Sequence, residues 1–233
     1  MKAPLIIAHR TCPVDAAENS VEGIRKAAEL GADGVEIDLR MSVDQRPYLM
    51  HDWTLRRTAG SALPLELTPS FRVRRLRLSN GEPVPSLGDA FEALPSGMLL
   101  AVDVKTPWAV VPLLREIRRR GMEERVLVWC TSALAVRYAA SRAPGVEVAY
   151  LKDVTDVADK RAFIAKAQRL GAKAVSAHWL AVDEAFVAAA HAAGLRVYSW
   201  HGGHELTPEK LRAGLDGLIT DFPKEARARL EGQ

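Results

Sequence analysis

Only two cysteines, Cys12 and Cys130, occur in the 233 residues, too few for a disulfide framework and without the close spacing of a metal-binding pair. They fit a reducing compartment and read as small semi-buried residues. Long apolar runs are missing as well. The opening Met1-Lys2-Ala3-Pro4-Leu5-Ile6-Ile7-Ala8-His9-Arg10 is too short for the apolar core of a secretion signal, and charges break every later run before bilayer length. A cytoplasmic protein without stable membrane association is expected. Net charge is also scarce: the formal +3 leaves no electrostatic footprint for nucleic acid, and the arginines at 72, 74, 75 and 77 and at 118 to 120 read as solvated faces. What remains is globular composition, 48% hydrophobic and 26% charged, enough to bury a sizeable core as one domain over residues 1–233.

Short runs of Val, Ile and Leu alternate with alanine-rich stretches of helical period, the pattern of parallel strands with crossover helices. Strands are predicted at 4–9, 34–39, 99–104, 125–130, 146–151, 173–178, 196–201 and 217–221. Helices are predicted near 18–30, 86–94, 109–120, 132–142, 156–170, 183–193, 207–214 and 223–231, several of them ended by glycines such as Gly31, Gly121, Gly171 and Gly194. Eight such units predict an α/β chain closed into a (β/α)8 TIM barrel. One apolar run is surplus. Arg46-Pro47-Tyr48-Leu49-Met50-His51 follows the second strand after too short a connection for a parallel crossover, so 39–51 is expected as a hairpin that brings His51 back to the barrel mouth. Residues 53–85, rich in Pro and Gly, would form a small irregular and polar insertion over the same face.

Alternate strand residues point into a barrel, and active sites collect at the C-terminal strand ends. In Gly34-Val35-Glu36-Ile37-Asp38-Leu39 this parity sends Glu36 and Asp38 inward, and in Ala101-Val102-Asp103-Val104-Lys105 it sends Asp103 and Lys105 inward. His9 ends the first strand on the same side. Three carboxylates buried together are costly unless a positive charge neutralises them, so Glu36, Asp38 and Asp103 suit a hard divalent cation, Mg2+ or Ca2+; an ion pair with Lys105 is the plainer alternative. His9 and His51 beside such an ion would serve as general base and acid, and Arg10 with Lys105 would hold phosphate oxygens. A Schiff-base role for Lys105 is disfavoured by the adjacent Asp103, and a degenerate barrel that only binds phosphorylated ligands is the non-enzymatic alternative.

These residues resemble the glycerophosphodiester phosphodiesterases. The likeness includes His9-Arg10, Glu18-Asn19-Ser20, Gly31 through Asp38, His51-Asp52 with Leu55 and Arg57-Thr58, Val84-Pro85-Ser86-Leu87, Asp103 with Lys105, Gly194 through Trp200, and Gly214 through Pro223. The resemblance implies a metal-dependent enzyme that cleaves small glycerophosphodiesters to sn-glycerol 3-phosphate and an alcohol, with Glu36, Asp38 and Asp103 as metal ligands, His9 and His51 exchanging protons, and Arg10 and Lys105 on the phosphate. It also implies that Trp200 is a wall against the glycerol or leaving group, although alone it reads as core. By similarity to related barrels, the glycerol 2-hydroxyl would attack phosphorus to give a cyclic diester that water opens. A phospholipase C- or D-like enzyme acting on intact lipids is the nearest competitor.

The chain departs from the family pattern at four places, one of them the segment Trp200-His201-Gly202-Gly203-His204, which lacks the polar residues usual after that tryptophan. Thr11 stands where glycine usually follows His-Arg, Asp103 where glutamate is usual, and Gln45-Arg46 where Asp-Gly usually makes the hairpin turn. His201 and His204 read as surface-loop residues, His191 as structural, and His178 is open between the two roles. Trp53, Trp108 and Trp179 could each line the mouth or pack.

Overall fold

The computed structural model describes residues 3–152, 158–200, 207 and 213–232. Its strands are β1 (Leu5–Ala8), β2 (Gly34–Met41), β3 (Pro47–Leu49), β4 (Leu99–Val104), β5 (Val126–Cys130), β6 (Glu147–Lys152), β7 (Ala174–His178), β8 (Arg196–Trp200) and β9 (Gly217–Thr220). All except β3 pair in parallel in the order β1-β2-β4-β5-β6-β7-β8-β9, and β9 pairs with β1 to close the ring. This is the predicted (β/α)8 barrel.

Helices α1 (Val21–Glu29), α4 (Leu87–Ala93), α5 (Val110–Arg120), α6 (Ala133–Arg142), α7 (Ala158–Arg169), α8 (Glu184–Ala192) and α9 (Pro223–Glu231) follow strands, and two one-turn helices, α2 (Arg56–Ala59) and α3 (Ser70–Val73), lie in the insertion. Their starts are written in the sequence. Ser20 accepts from the Gly23 amide at 2.9 Å to cap α1, Asp183 accepts from Phe186 at 2.7 Å to cap α8, and Ser86 with Asp89 forms a capping box on α4; each cap satisfies amides that the first turn leaves unpaired. Most of the expected helix at 207–214 and the end of the expected strand at 196–201 lie outside the described residues.

Parity splits the apolar residues into two cores. Outward Val35, Ile37, Leu39, Val102, Val104, Val128 and Val148 meet the helices in one large cluster. Inward Ile7, Ala101, Leu127, Trp129, Ala149, Ala174, Tyr198 and Ile219 plug the barrel. Tyr198 and Trp129 pack with ring centroids 5.3 Å apart, and the Tyr198 hydroxyl donates to Glu147 at 2.5 Å. The interior is therefore filled from below, which leaves the C-terminal strand ends as the place for a site.

The surplus run is the expected hairpin. β3 is antiparallel to β2, with Leu39 opposite Leu49 and Met41 opposite Pro47, and the Met50 amide donates to the Asp38 carbonyl at 2.9 Å. Gln45 takes the turn's left-handed position at φ 60°, a conformation that costs a residue with a side chain more than it costs glycine. The insertion that follows buries Tyr48, Met50, Leu55, Leu65, Val73, Leu78 and Val84 in a core of its own. Its surface corrects the expectation of a polar excursion: Trp53, Leu63, Leu67 and Phe71 are all exposed. Their apolar neighbours close the small core, and too few layers remain to cover them.

Candidate active site

One pocket at the C-terminal end of the barrel is lined by His9, Arg10, Glu36, Asp38, His51, Asp103, Lys105, Trp129, Leu151, Ser176, Trp200 and Ile219, and it encloses about 100 Å³. All eight site residues predicted from sequence are among them. Larger grooves elsewhere, such as that between Leu5, Val187, His191 and Arg196, lack this convergence of charge.

Asp38 and Asp103 are register partners on β2 and β4, so the two inward carboxylates stand side by side, and Glu36 lies one step below Asp38. Ligand oxygens of Glu36, Asp38 and Asp103 lie within 4.8 Å of one another. All three side chains are buried. Lys105 Nζ bridges two of them, at 2.5 Å from Asp103 Oδ2 and 3.1 Å from Asp38 Oδ1. That one cation does not balance three buried anions. Burial and the neighbouring Asp38 charge push the Glu36 carboxyl up to about 8, and burial raises Asp103 despite Lys105. Asp38 is held low because Lys105, His51 and Arg10 outweigh its own burial. Asp103 Oδ1 is buried with no hydrogen-bond partner among the described residues. An all-oxygen donor set, a shortage of positive charge and an orphaned acceptor together fit a hard divalent cation. Although shorter than glutamate, Asp103 still brings an oxygen within reach of the Glu36 and Asp38 oxygens.

The loop after β1 shapes this site through its backbone. Arg10, Thr11 and Cys12 all have positive φ, at 43°, 61° and 75°, and the turn aims the Arg10 amide at Glu36 Oε2, 2.8 Å away. Thr11 occupies a left-handed position where a β-branched residue is strained. It is fully buried, and its Oγ1 accepts from the Ser20 amide at 3.1 Å. Arg10 Nε lies 3.6 Å from Asp38 Oδ2. Asn19 grips Asp38 from the other side: its Nδ2 donates to Oδ2 at 2.9 Å and its Oδ1 accepts from the Asp38 amide at 3.0 Å.

Each pocket histidine is held at Nδ1 by a carboxylate. His9 Nδ1 lies 2.6 Å from Asp221 Oδ1, and His51 Nδ1 lies 2.8 Å from Asp52 Oδ1. An acidic partner at Nδ1 selects the tautomer with the proton there, leaving Nε2 as the reactive nitrogen. Burial would lower the His9 pKa, but the Asp221 hydrogen bond and the Glu36 and Asp221 charges outweigh it and raise the value. Asp52 is itself clamped by Arg57, at 2.7 Å and 3.0 Å, which holds its carboxyl well below the usual range; Arg57 also pairs with Glu18. Arg40 Nε donates to the His51 carbonyl at 3.0 Å, tying the hairpin to Glu66 of the insertion.

Asp221, Asp52 and Asn19 were assigned no role by sequence reasoning, nor were Trp129 and Ser176. The inward parity of Gly217 and Ile219 on β9, carried one residue past its end, was the available signal for Asp221. Among the remaining candidates, His191 pairs with Asp216 at 2.9 Å on the outer surface. His178 Nδ1 accepts from the Leu180 amide at 3.2 Å and its ring meets Trp200 edge-on at 4.4 Å, so it buttresses the pocket wall. Trp179 packs in the outer core, whereas Trp53 and Trp108 are exposed. His201 and His204 lie outside the described residues.

The glycerophosphoryl diester phosphodiesterase family model matches residues 9–225. A glycerophosphodiester phosphodiesterase from Caldanaerobacter subterraneus subsp. tengcongensis is 26% identical over 235 aligned residues, covering 94% of this chain and 95% of the relative. Among solved structures, a phosphodiesterase from Oleispira antarctica in complex with the product sn-glycerol-3-phosphate superposes with a TM-score of 0.86 at 21% identity, covering 98% and 97% of the two chains. A glycerophosphodiester phosphodiesterase from Thermotoga maritima gives 0.80 at 20% identity, covering 99% of each. Matched from His9 into the last helix, and carrying the buried acid cluster in the barrel mouth, the chain belongs to the glycerophosphoryl diester phosphodiesterase family.

Proposed function

We propose that the protein is a metal-dependent glycerophosphodiester phosphodiesterase that releases sn-glycerol 3-phosphate and an alcohol from small water-soluble diesters. The observation that carries this reading is the pair of histidines, each pinned at Nδ1 by a carboxylate, flanking the buried Glu36, Asp38 and Asp103 cluster. The named activity of the Caldanaerobacter relative and the product bound to the Oleispira protein support the same substrate class.

Glu36, Asp38 and Asp103 would hold the ion, Mg2+ or Ca2+, which when bound supplies positive charge to a phosphoryl oxygen. Arg10 and Lys105 hold the other non-bridging oxygens, where charge accumulates as the bond breaks. His9 takes the proton from the glycerol 2-hydroxyl as its oxygen bonds to phosphorus, and His51 gives a proton to the departing alcohol oxygen. In the second step the roles reverse: His51 takes a proton from water as it attacks, the bond to the 2-oxygen breaks, and His9 returns its proton there. Trp200 walls the glycerol side and keeps water off it. Among the described residues no helix is long and apolar enough to cross a membrane, and two unpaired buried cysteines suit the cytoplasm.

Cleavage of glycerophosphocholine, its 2-deoxy analogue and bis(p-nitrophenyl) phosphate tests the route. The parent diester is expected to be cleaved with added metal while both compounds without the hydroxyl are poor substrates; equal kcat/KM for the diester with and without it would refute the cyclic step. The exposed Trp53, Leu63, Leu67 and Phe71 favour a second reading, action on intact lipids at a surface. Faster release from phospholipid vesicles than from glycerophosphocholine would establish it.

A further inference from the structure

Buried polar atoms in native proteins almost always find hydrogen-bond partners. Six side-chain atoms among the described residues do not: Arg10 Nε, Asp103 Oδ1, Trp129 Nε1, Ser176 Oγ, Ser199 Oγ and Trp200 Nε1. All except Ser199 belong to residues lining the pocket, so the unmet demand is gathered where a ligand sits. It is also sorted by chemistry. Asp103 and Arg10 belong to the charged side, on β4 and the loop after β1, where cation and phosphate are expected. Ser176 and Trp200 stand on β7 and β8, across the barrel from β2, and Trp129 stands on β5 beside its register partner Asp103. Each offers a donor: an indole N–H can only donate, and a serine hydroxyl can do both.

Their setting fixes what they can recognise. Trp129 and Ser176 are almost wholly buried, at 2% and 0% exposure, and Trp129 is packed on the Tyr198 ring, so neither swings out to solvent. Trp200 is braced by the edge-on His178 ring. Leu151 on β6, between β5 and β7, and Ile219 on β9, beside β8, line the same wall and present only hydrocarbon. Neutral donors set among apolar faces suit the carbon skeleton and hydroxyl oxygens of a polyol, while a phosphate is drawn to Arg10 and Lys105.

We propose that Trp129, Ser176 and Trp200 form a hydroxyl-reading wall that binds the terminal hydroxyl of the substrate's glycerol, the one that is neither esterified nor the attacking group. This rests on the function proposed above and goes beyond it by naming what selects glycerol over a simpler diol.

Glycerophosphoethanolamine and the matching diester of propane-1,2-diol, which keeps the 2-hydroxyl and lacks the terminal one, separate these roles. The wild-type enzyme is expected to prefer the glycerol diester. Ser176→Ala and Trp129→Phe, the second keeping the ring and removing the N–H, should each lower kcat/KM on the glycerol diester by about 3- to 10-fold, the worth of one neutral hydrogen bond, and leave the propanediol diester unchanged. Calorimetric binding of glycerol 3-phosphate against propane-1,2-diol 1-phosphate should lose its discrimination in parallel. Equal treatment of both compounds by the wild type, or equal losses on both in the variants, overturns the proposal. If Trp129→Phe melts early, Ser176→Ala decides. Failure to cleave either diester with metal present would instead refute the proposed function, and the binding comparison then still decides whether the wall reads a hydroxyl.

Discussion

Removing the carboxylate of Asp221 is the perturbation that most directly tests how the barrel tunes its chemistry. The contact is short, 2.6 Å between His9 Nδ1 and Asp221 Oδ1, and only 15% of either side chain is exposed, so solvent screens it little. A hydrogen bond to a charged group is worth about 1.5–3 kcal/mol. At 1.4 kcal/mol per factor of ten, Asp221→Ala should lower kcat/KM by about 10- to 150-fold. The pH profile should move as well. Asp221 raises the His9 pKa through both its hydrogen bond and its charge, and a general base works in its neutral form, so without Asp221 the acidic limb of kcat/KM should shift to lower pH. Asp221→Asn, which keeps an acceptor and drops the charge, should shift the limb with a smaller loss of rate. Stability follows a definite sign: a histidine whose folded pKa is raised adds stability fully present below its unfolded pKa of about 6.5 and lost as pH rises through the folded value. Thermal melting of Asp221→Ala against wild type should therefore show a larger deficit at about pH 5.5 than at about pH 9. Steady-state kinetics across pH would refute this account if Asp221→Ala kept more than about half of the wild-type kcat/KM with an unmoved acidic limb.

Other substitutions probe the rest of the site. His51→Ala should lose about 10²- to 10⁴-fold in kcat with an unchanged circular dichroism spectrum; retention of half the turnover would remove its role as acid. Stripping divalent metal should abolish activity, and because the Glu36 carboxyl is pushed up to about 8, the metal-free fold binds that proton more tightly than the unfolded chain. Its Tm should thus fall between about pH 5 and 8 and recover when metal is added; a flat Tm with no metal response would argue against a cation site. Gly23→Ala would place a Cβ 2.1 Å from the Thr11 carbonyl oxygen, in a region with no slack, and should destabilise by about 1–3 kcal/mol in urea denaturation; a neutral result would mean the loop after β1 is free to shift.

The carboxylate cluster was legible in the sequence because a strand's period of two states which residues share a face: Glu36 with Asp38, and Asp103 with Lys105, need only that rule and the closure of the ring. His51 required one more inference, that a short connection forces an antiparallel return. Asp221 escaped because its partner His9 is 212 residues away in sequence and meets it only where β9 closes on β1, a contact that no local pattern announces. Trp179 was open between the mouth and packing because a strand-end position allows both, and a one-turn helix over Trp179–Ala181 turns the indole into the outer core. The exposed side chains of the insertion were unreadable for a related reason. Which half of its apolar residues are buried depends on how a segment without regular periodicity folds upon itself.

The hairpin has a consequence for how this enzyme can change. One unbroken stretch of chain carries two carboxylates of the cluster on β2 and then, through β3 and the Met50–Asp38 backbone bond, the histidine that faces them. Their spacing is thus set by a single ruler of ladder hydrogen bonds. Gaining or losing one residue within 42–46 would turn every β3 side chain to the opposite face, carrying Tyr48 out of the insertion's core and His51 away from the mouth in the same event. Length variation is therefore expected to be tolerated in the outer loop at 60–63, whereas the tight turn is expected to keep its length even as the residues composing it drift.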